Sequence, residues 1–395
     1  MITLDEALMC AVAQARPLGD ELIEIDAACE RVLSERVTAR GQSPRAALSA
    51  MDGYAVHEAD LTTVPVTLPV AEAIFAGASA PPPLARGTCA RIFTGAPVPA
   101  GADRVVIQED VRVEDGAAVF DRSPSGGRHI RAAGSDFESG ETLLEAGRCL
   151  DFRAMVALAA ADRDRVRVYR RPRVAILSTG DELVEPGRAL EVPGAIAESV
   201  SFGVAGLVRA WGGDVVRRAR LADVPEALEA AAEAALAAAD MVVVTGGASV
   251  GERDYARSMF ASSGLEEVFT KVAIKPGKPV WVARAGTRLV VGLPGNPTSA
   301  MVTARLFLAP LLAGLAGRDP LLALAWRDAI LATPLGAVGP RETLERARRV
   351  DGGVAILGNG DSGAQAALAE ADVLIRRFAS APAAAAGETV QILDF

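Results

Sequence analysis

The segment MVVVTGG at residues 241–247 is a short apolar run that ends in two glycines. Its β-branched residues predict a buried strand, and the glycines predict a tight turn at the strand's carboxyl end. RVAILSTG at 173–180 and RLVVGLPG at 288–295 have the same form. Helical segments lie between and after these strands, at 199–213, 224–239 and 298–317. Asp223 is the expected N-cap of the second helix, with Pro225 in its first turn. This alternation predicts a doubly wound α/β domain from about residue 173 to 318.

The segments on either side of this domain have a different pattern of apolar and turn residues. TLDEALMCAVAQA, from Thr3, predicts a capped helix at the start, because Glu6 follows the capping threonine by three residues. Residues 41–150 alternate short apolar segments with Gly/Pro turns, which is typical of β structure. Short strand-like pieces return from about residue 320 to 395 and predict a small all-β domain.

Composition excludes several classes of function. The net charge of −9 argues against bulk nucleic-acid binding, although a local basic site remains compatible with a small anion. Half of the residues are hydrophobic, but alanine is the most frequent of them, and charged residues and glycines interrupt the apolar windows too often for a membrane-spanning helix to be expected. The acidic N-terminal segment lacks the basic region of a secretory signal. We therefore expect a cytoplasmic protein without a membrane partner.

The composition restricts which kinds of metal site the chain could form. Two histidines, His57 and His129, are too few for a histidine-based centre, and the four cysteines contain no C-x-x-C pair. Widely spaced cysteines are typical of reduced cytosolic thiols. A bound metal would therefore be a hard cation held by carboxylates.

The lysines have an unusual distribution. Lys271, Lys275 and Lys278 are the only three in the chain, whereas every other basic residue is an arginine. Lys275 and Lys278 each precede a proline in KPGKP, so their backbones are restricted to extended geometry. A solvated loop would explain this pattern, but a requirement for compact point charges explains it better. The loop therefore predicts a site for a polyanion such as phosphate or a tetrahedral oxyanion.

Three Gly-containing turns follow predicted strands, where open α/β sheets bind ligands. STGDELVEPG carries the adjacent acids Asp181 and Glu182. Adjacent acids are usually solvated surface residues, but these two lie where a ligand crevice is expected. TGGASVG is followed by Asp254, either a helix N-cap or a cation ligand or base. GLPGNPTSAM places Ser299 near a helix start, where capping is the alternative to anion binding.

Seven motifs occur in order along the chain: SAMDGYAV (49–56), RIFTGAPVPAGADRVVIQED (91–110), GSDFESGETLLEAG (134–147), VAILSTGDEL (174–183), VVVTGGASVGERDY (242–255), IKPGKP (274–279) and GLPGNPTSAM (292–301). Together they resemble the MoeA family of molybdopterin molybdenumtransferases, which includes the gephyrin E domain. The resemblance covers essentially the whole chain.

The resemblance implies a multidomain α/β and β fold with a central molybdopterin-binding α/β domain. Its expected units are an N-terminal elongated α+β region (1–50 and 138–172), an inserted β-rich module (51–137), the α/β domain (173–318) and a small β-barrel-like domain (319–395). The implied activity is molybdenum insertion into adenylylated molybdopterin with release of AMP, assisted by Mg²⁺. The family forms a homodimer whose active cleft lies between subunits. A molybdopterin adenylyltransferase and molybdoenzyme-maturation proteins are further expected partners.

The resemblance also assigns roles to individual residues. The catalytic candidates are Asp52, Glu182, Asp254, Lys275 and Lys278, with Asp254 and Glu182 as the Mg²⁺ ligands. The substrate-binding candidates are Thr94, Asp136, Gly246, Gly247, Ser249, Pro294, Asn296, Ser299, Arg341 and Ser362.

The chain departs from the family pattern at two places. PRAAL precedes SAMDGYAV where a Pro-Phe-Asp-Asn-like run is usual, and Glu198, Ser199 and Val200 occupy the usual Asp-x-Asn. An amide missing at Val200 would remove a ligand hydrogen bond. A molybdopterin adenylyltransferase and a non-catalytic scaffold paralogue are therefore the alternative functions.

Overall fold

The computed structural model describes residues 1–246, 255–358 and 361–395. Its first element is helix α1 (Leu4–Gln14). The predicted capping box is present, because the Thr3 hydroxyl accepts from the Glu6 N–H while the Glu6 carboxylate accepts from the Thr3 N–H. Strands β1 (Asp20–Glu24), β2 (Val37–Thr38) and β3 (Leu48–Ser49) follow.

A six-stranded sheet occupies the next part of the chain. Its strands are β4 (Gly53–Val56), β5 (Val66–Ile74), β6 (Cys89–Ile92), β7 (Arg104–Ile107), β8 (Arg112–Glu114) and β9 (Ala117–Phe120). Their spatial order is β7-β4-β6-β5-β9-β8. Tyr54 and Phe120 meet edge to face in its core, with ring centroids 6.3 Å apart.

The chain then returns to the strands with which it began. The returning elements are β10 (Ile130–Arg131), β11 (Thr142–Leu144), α2 (Phe152–Ala160) and β12 (Arg165–Tyr169). Strand β10 pairs with β3, β11 with β2 and β12 with β1, all antiparallel. The six-stranded sheet is therefore inserted between the two halves of one smaller unit.

The α/β region contains most of the core. Its elements are β13 (Arg173–Thr179), β14 (Leu183–Val184), β15 (Ile196–Ala197), α3 (Val200–Ala210), β16 (Asp214–Leu221), α4 (Pro225–Ala238), β17 (Met241–Thr245), α5 (Tyr255–Ser258), β18 (Leu265–Phe269), β19 (Ile274–Lys275), β20 (Trp281–Ala285), β21 (Arg288–Leu293), α6 (Pro297–Thr303), a π-helical turn (Ala304–Leu308) and α7 (Ala309–Leu315). The sheet order is β16-β13-β17-β21-β20-β18. The first four strands are parallel, and β20 and β18 extend the sheet in antiparallel fashion. Strands β13, β17 and β21 are buried along nearly their whole length because helices cover both faces.

Two details of this region differ from the sequence-based expectation. Helix α4 begins at Pro225 with Val224 in the N-cap position, so Asp223 is not the capping residue. The N–H of Asp223 instead donates to the Asp181 carboxylate. The continuous helical segment Pro297–Leu315 is also long and apolar enough to cross a membrane, although none was expected. Its most apolar window is 94% buried inside the protein, which explains the composition.

A second six-stranded sheet forms the C-terminal part. Its elements are β22 (Arg327–Ile330), β23 (Glu342–Val350), β24 (Gly353–Ile356), α8 (Gln365–Ala369), β25 (Val373–Arg377) and β26 (Thr389–Asp394). The order is β19-β23-β25-β26-β22, with β24 also paired to β23. Strand β19, which carries the first lysine of KPGKP, thus belongs to this sheet. The architecture confirms the predicted multidomain α/β and β fold.

Candidate active site

The carboxyl ends of β13, β17 and β21 meet at one edge of the parallel sheet and border a cleft of about 690 Å³. Five segments line it, at residues 179–183, 196–200, 245–246, 294–297 and 363–365, together with Asp223 and Pro279. The first four segments come from the α/β region, and the last belongs to the connection between β24 and β25 of the C-terminal sheet. All three predicted Gly turns therefore contribute to a single site.

Where these turns meet, glycine is required at Gly246. Gly246 has φ +89°, and a Cβ placed there would lie 2.4 Å from the carbonyl oxygen of Thr179. A Cβ on Gly295 would in turn contact Gly246 Cα at 3.4 Å. This part of the cleft is therefore bare backbone, to which a ligand can approach closely.

Glu182 lies at the first turn and is exposed to the cleft. Gly180 leaves room for it, since a Cβ there would lie 2.8 Å from a Glu182 carboxylate oxygen. Asp223 also lines the cleft. The acidic end of the cleft thus combines the predicted Glu182 with Asp223, for which the sequence predicted only a helix-capping role.

A buried polar network fixes the opposite side. The Glu198 carboxylate accepts hydrogen bonds from the Ser201 N–H (2.8 Å) and from the Ser178 hydroxyl (3.3 Å). The Ser178 hydroxyl in turn accepts from Thr245 Oγ1 at 3.0 Å. The network joins the start of α3 to the ends of two strands. Sequence reasoning noted Glu198 only as a departure from the family, because the pairing of Ser178 with Thr245 depends on the sheet.

Val200 is the first residue of α3 and lines the cleft next to this network. It presents an apolar branched side chain where the family pattern has an amide. At this point the cleft wall therefore offers van der Waals contact and no side-chain hydrogen bond.

The third turn is held by the C-terminal sheet. Asn296 Nδ2 donates to the Ser362 hydroxyl at 3.0 Å, and the N–H of Thr298 donates to the Ser362 carbonyl at 3.1 Å. Pro294 and Asn296 line the cleft. Ser299 is only 6% exposed, and its carbonyl accepts from the Thr303 hydroxyl. Neither Ser299 nor Ser362 lines the cleft, although Pro297 and Gly363 nearby do.

The lysine loop separates this cleft from a second cavity of about 310 Å³. Lys275 and Arg341 line that cavity together with Arg377 and Glu345. Strand β19 pairs with β23, and Arg341 Nη1 donates to the Ile274 carbonyl at 3.3 Å. Three cations and one carboxylate thus surround the cavity, which favours an anion.

The other end of the loop faces the first cleft. Pro279 lines that cleft, and the neighbouring Lys278 is exposed, while its carbonyl accepts from the Val272 N–H. The KPGKP segment therefore contacts both spaces.

The candidates of the N-terminal half lie in loops: Asp52 and Thr94 next to strands β4 and β6, and Asp136 between β10 and β11. The Asp52 carboxylate accepts from both the N–H and the hydroxyl of Thr94 at 2.7 Å. These two bonds lower the pKa of Asp52 below its ordinary value, mainly through the N–H. Asp136 is exposed, and its N–H donates to the Ser43 carbonyl. None of the three lines either cavity described above.

Three of the predicted residues, Gly247, Ser249 and Asp254, lie outside the described residues. In the part of the chain that is described, no group of three or more His, Cys, Asp or Glu side chains could hold a metal ion.

Comparison with known proteins assigns the family. Residues 2–161 match the family model "MoeA N-terminal region (domain I and II)", and residues 175–314 match "Probable molybdopterin binding domain". The molybdopterin molybdenumtransferase of Nostoc sp. is 37% identical over 334 residues, which are 82% of this chain and 76% of that protein. The enzyme of the same name from Haemophilus influenzae is 37% identical over 320 residues, with 80% and 78% coverage.

A solved structure has the same architecture over the full length. The molybdopterin biosynthesis MoeA protein from Pyrococcus horikosii aligns with a TM-score of 0.85 and 28% identity, covering 100% of this chain and 99% of that one. The chain therefore belongs to the molybdopterin molybdenumtransferase family.

Proposed function

We propose that this protein inserts molybdenum into adenylylated molybdopterin and releases AMP, as an enzyme of molybdenum cofactor biosynthesis. The observation that carries the proposal is the KPGKP loop, which lies between a 690 Å³ cleft lined by three strand-end turns and a cationic 310 Å³ cavity. Such a pair of neighbouring spaces suits a large nucleotide-bearing substrate and a small oxyanion.

The cationic cavity supports molybdate as the oxyanion substrate. Lys275, Arg341 and Arg377 contribute positive charge, against the single carboxylate of Glu345. At contact distance each cation attracts a unit negative charge by about 4 kcal/mol at an effective dielectric near 20, before desolvation. A doubly charged tetrahedral anion would therefore be attracted to this cavity, beside the cleft in which we propose that adenylylated molybdopterin binds.

The larger cleft supports binding of the pterin nucleotide. Its bare backbone at Gly246 and Gly295 admits close approach of a phosphate group, and Asn296 places a side-chain amide beside it. The apolar wall at Val200 suits the face of a flat ring. These residues bind and orient the substrate.

The carboxylates of the larger cleft suit Mg²⁺ only together with phosphate oxygens of the substrate. Mg²⁺ usually keeps several waters and takes one or two protein carboxylates plus substrate phosphate oxygens. Glu182 is the described residue that would hold it, and Asp254 is the second candidate from the sequence. When bound, the ion would neutralise charge on the phosphate leaving group.

We also propose a cytoplasmic homodimer with a shared cleft. Asp52, Thr94 and Asp136 carry family roles yet line neither described cavity of their own chain. A second subunit could supply them. The four cysteines are free, which supports a reducing compartment.

The test measures nucleotide chemistry with purified protein, adenylylated molybdopterin and Mg²⁺. We expect AMP release that rises with molybdate concentration, and no ATP consumption. ATP consumption with molybdopterin would instead identify an adenylyltransferase, and absence of both reactions would identify a scaffold paralogue. A Glu182→Gln variant with unchanged Mg²⁺ dependence would remove this residue from the metal site.

A further inference from the structure

Arg346 is a buried arginine on β23 that reaches from the C-terminal sheet to the α/β region. It is 3% exposed. Its Nη1 donates to Thr298 Oγ1 at 3.1 Å and to the Ala364 carbonyl at 2.8 Å, while Nη2 donates to the Asp361 carbonyl at 3.0 Å. The planar guanidinium thus holds both ends of segment 361–364 and the first turn of α6 at the same time.

Thr298 completes this attachment. It is 2% exposed, and its hydroxyl donates to the same Ala364 carbonyl at 3.2 Å. Its N–H donates to the Ser362 carbonyl. One hydroxyl therefore accepts from Arg346 and donates to the loop, so a change at Thr298 affects both contacts.

The segment held in this way reaches the substrate cleft. Gly363 and Gln365 line the cleft, facing a space otherwise bordered by the α/β region. Gln365 is exposed and begins α8. Its primary amide combines N–H donors with a carbonyl acceptor, which matches the amide or amidine edge of a fused heteroaromatic ring.

We propose that residues 361–365 form a ligand-contacting wall of the cleft, in which Gln365 binds the polar edge of a heteroaromatic ring and Arg346 is the positioning residue. The identity of the ligand rests on the proposed function, which supplies two such rings, the pterin and the adenine. The attachment by Arg346 and Thr298 rests on geometry alone.

The experiment uses full-length protein with two measurements that do not require turnover. Hydrogen exchange of residues 361–369 in the free protein reports the attachment of the loop. Calorimetry with AMP and, separately, with molybdopterin reports ring binding and distinguishes the two rings. The variants are Arg346→Lys, Thr298→Val and Gln365→Leu, with Thr298→Ser as the conservative rescue and the exposed Arg348→Lys as the matched control.

In Arg346→Lys and Thr298→Val, the backbone amides of residues 361–369 should exchange faster than in the wild type. Both variants should also bind one of the two ligands about tenfold more weakly, a factor equivalent to one ordinary net hydrogen bond. Thr298→Ser and Arg348→Lys should match the wild type in both measurements. Gln365→Leu should lose the same affinity while its exchange stays unchanged, because it alters the contact and not the attachment.

Wild-type affinity of Gln365→Leu for both ligands would overturn the contact. Unchanged exchange in Thr298→Val would overturn the positioning role even if Arg346→Lys failed to fold. A wild-type protein that bound neither ligand would refute the ligand wall, whereas the proposed function is judged separately by AMP release.

Discussion

Arginine and lysine have different tasks in this protein. Arg305 is 7% exposed, and it donates to the carbonyls of Asp394 and Ala323. Burial lowers its pKa to about 10, yet the side chain stays charged at neutral pH. Lys275 is exposed and lines the smaller cavity, and Lys278 is exposed next to Pro279, which lines the larger cleft. Arg305 thus joins separate chain segments, whereas the two lysines of KPGKP remain exposed beside the cavities that we propose bind substrate.

We expect Lys275→Arg and Lys278→Arg to lose most molybdate-dependent AMP release although the charge is kept. A guanidinium is a broad planar group and cannot replace a compact ammonium beside a tetrahedral anion. Molybdate binding should weaken by about tenfold to a hundredfold, with little change in Tm. Lys271→Arg, on an exposed lysine that lines neither described cavity, is the control. Normal rates in both test variants would mean that only the charge matters.

At the scale of the element, helix α3 connects the cleft to the core. It begins at Val200 on the cleft wall, and its buried face packs on the parallel sheet through residues such as Val204 and Val208. Two glycines, Gly203 and Gly206, lie within it. The first faces Met301 of α6, and the second is exposed.

We expect Gly206→Ala to stabilise the protein by about 0.5–1 kcal/mol, because alanine costs less backbone entropy in a helix and meets no atom within 4 Å. Gly203→Ala should be less stable than Gly206→Ala by about 1 kcal/mol, since its Cβ would lie 2.8 Å from Met301 Sδ. Urea unfolding of both variants measures the difference. Equal midpoints would show that Met301 moves aside without cost.

At the scale of the whole molecule, Asp240 ties the N-terminal unit to the α/β sheet. Its carboxylate accepts from the Arg173 N–H, from Arg170 just after β12, and from Arg288 at the start of β21. Burial alone would raise the pKa of Asp240, but these donors together lower it below the ordinary value. One carboxylate therefore connects the return strand of the N-terminal unit with two strands of the central sheet.

Asp240→Asn should destabilise the protein at pH 7 by about 1–3 kcal/mol, toward the lower end because both arginines are more than a third exposed. The folded pKa is lowered, so the stabilisation is complete above the unfolded pKa of about 3.9 and is lost as pH falls through the folded value. Tm measured from pH 7 down to pH 3 should show the gap between wild type and variant closing in acid. A gap that stays constant would contradict the role of the charge.

A shared cleft makes a prediction about assembly. Asp52→Ala and Lys275→Ala should each be inactive, but mixed subunits should regain about one quarter of wild-type activity, because random pairing leaves one intact site in each heterodimer. Sedimentation should show a dimer for each variant alone. No recovery in a mixture proven to contain heterodimers would place both residues in the same subunit's site.

The sequence alone predicted the layout of the fold and the residue types of the candidate site. Apolar runs ending in glycine predicted β13, β17 and β21, and the presence of two of the three lysines in KPGKP indicated a candidate anion-binding loop, because periodicity and residue type are local properties. Only the tertiary structure decided which segments meet. It brought Gln365 and Gly363 to the cleft, paired β19 with the C-terminal sheet, and buried Arg346 against Thr298. The physical reason is that these contacts join segments far apart in the chain, whose pairing depends on shared burial and hydrogen-bond geometry that no local pattern records.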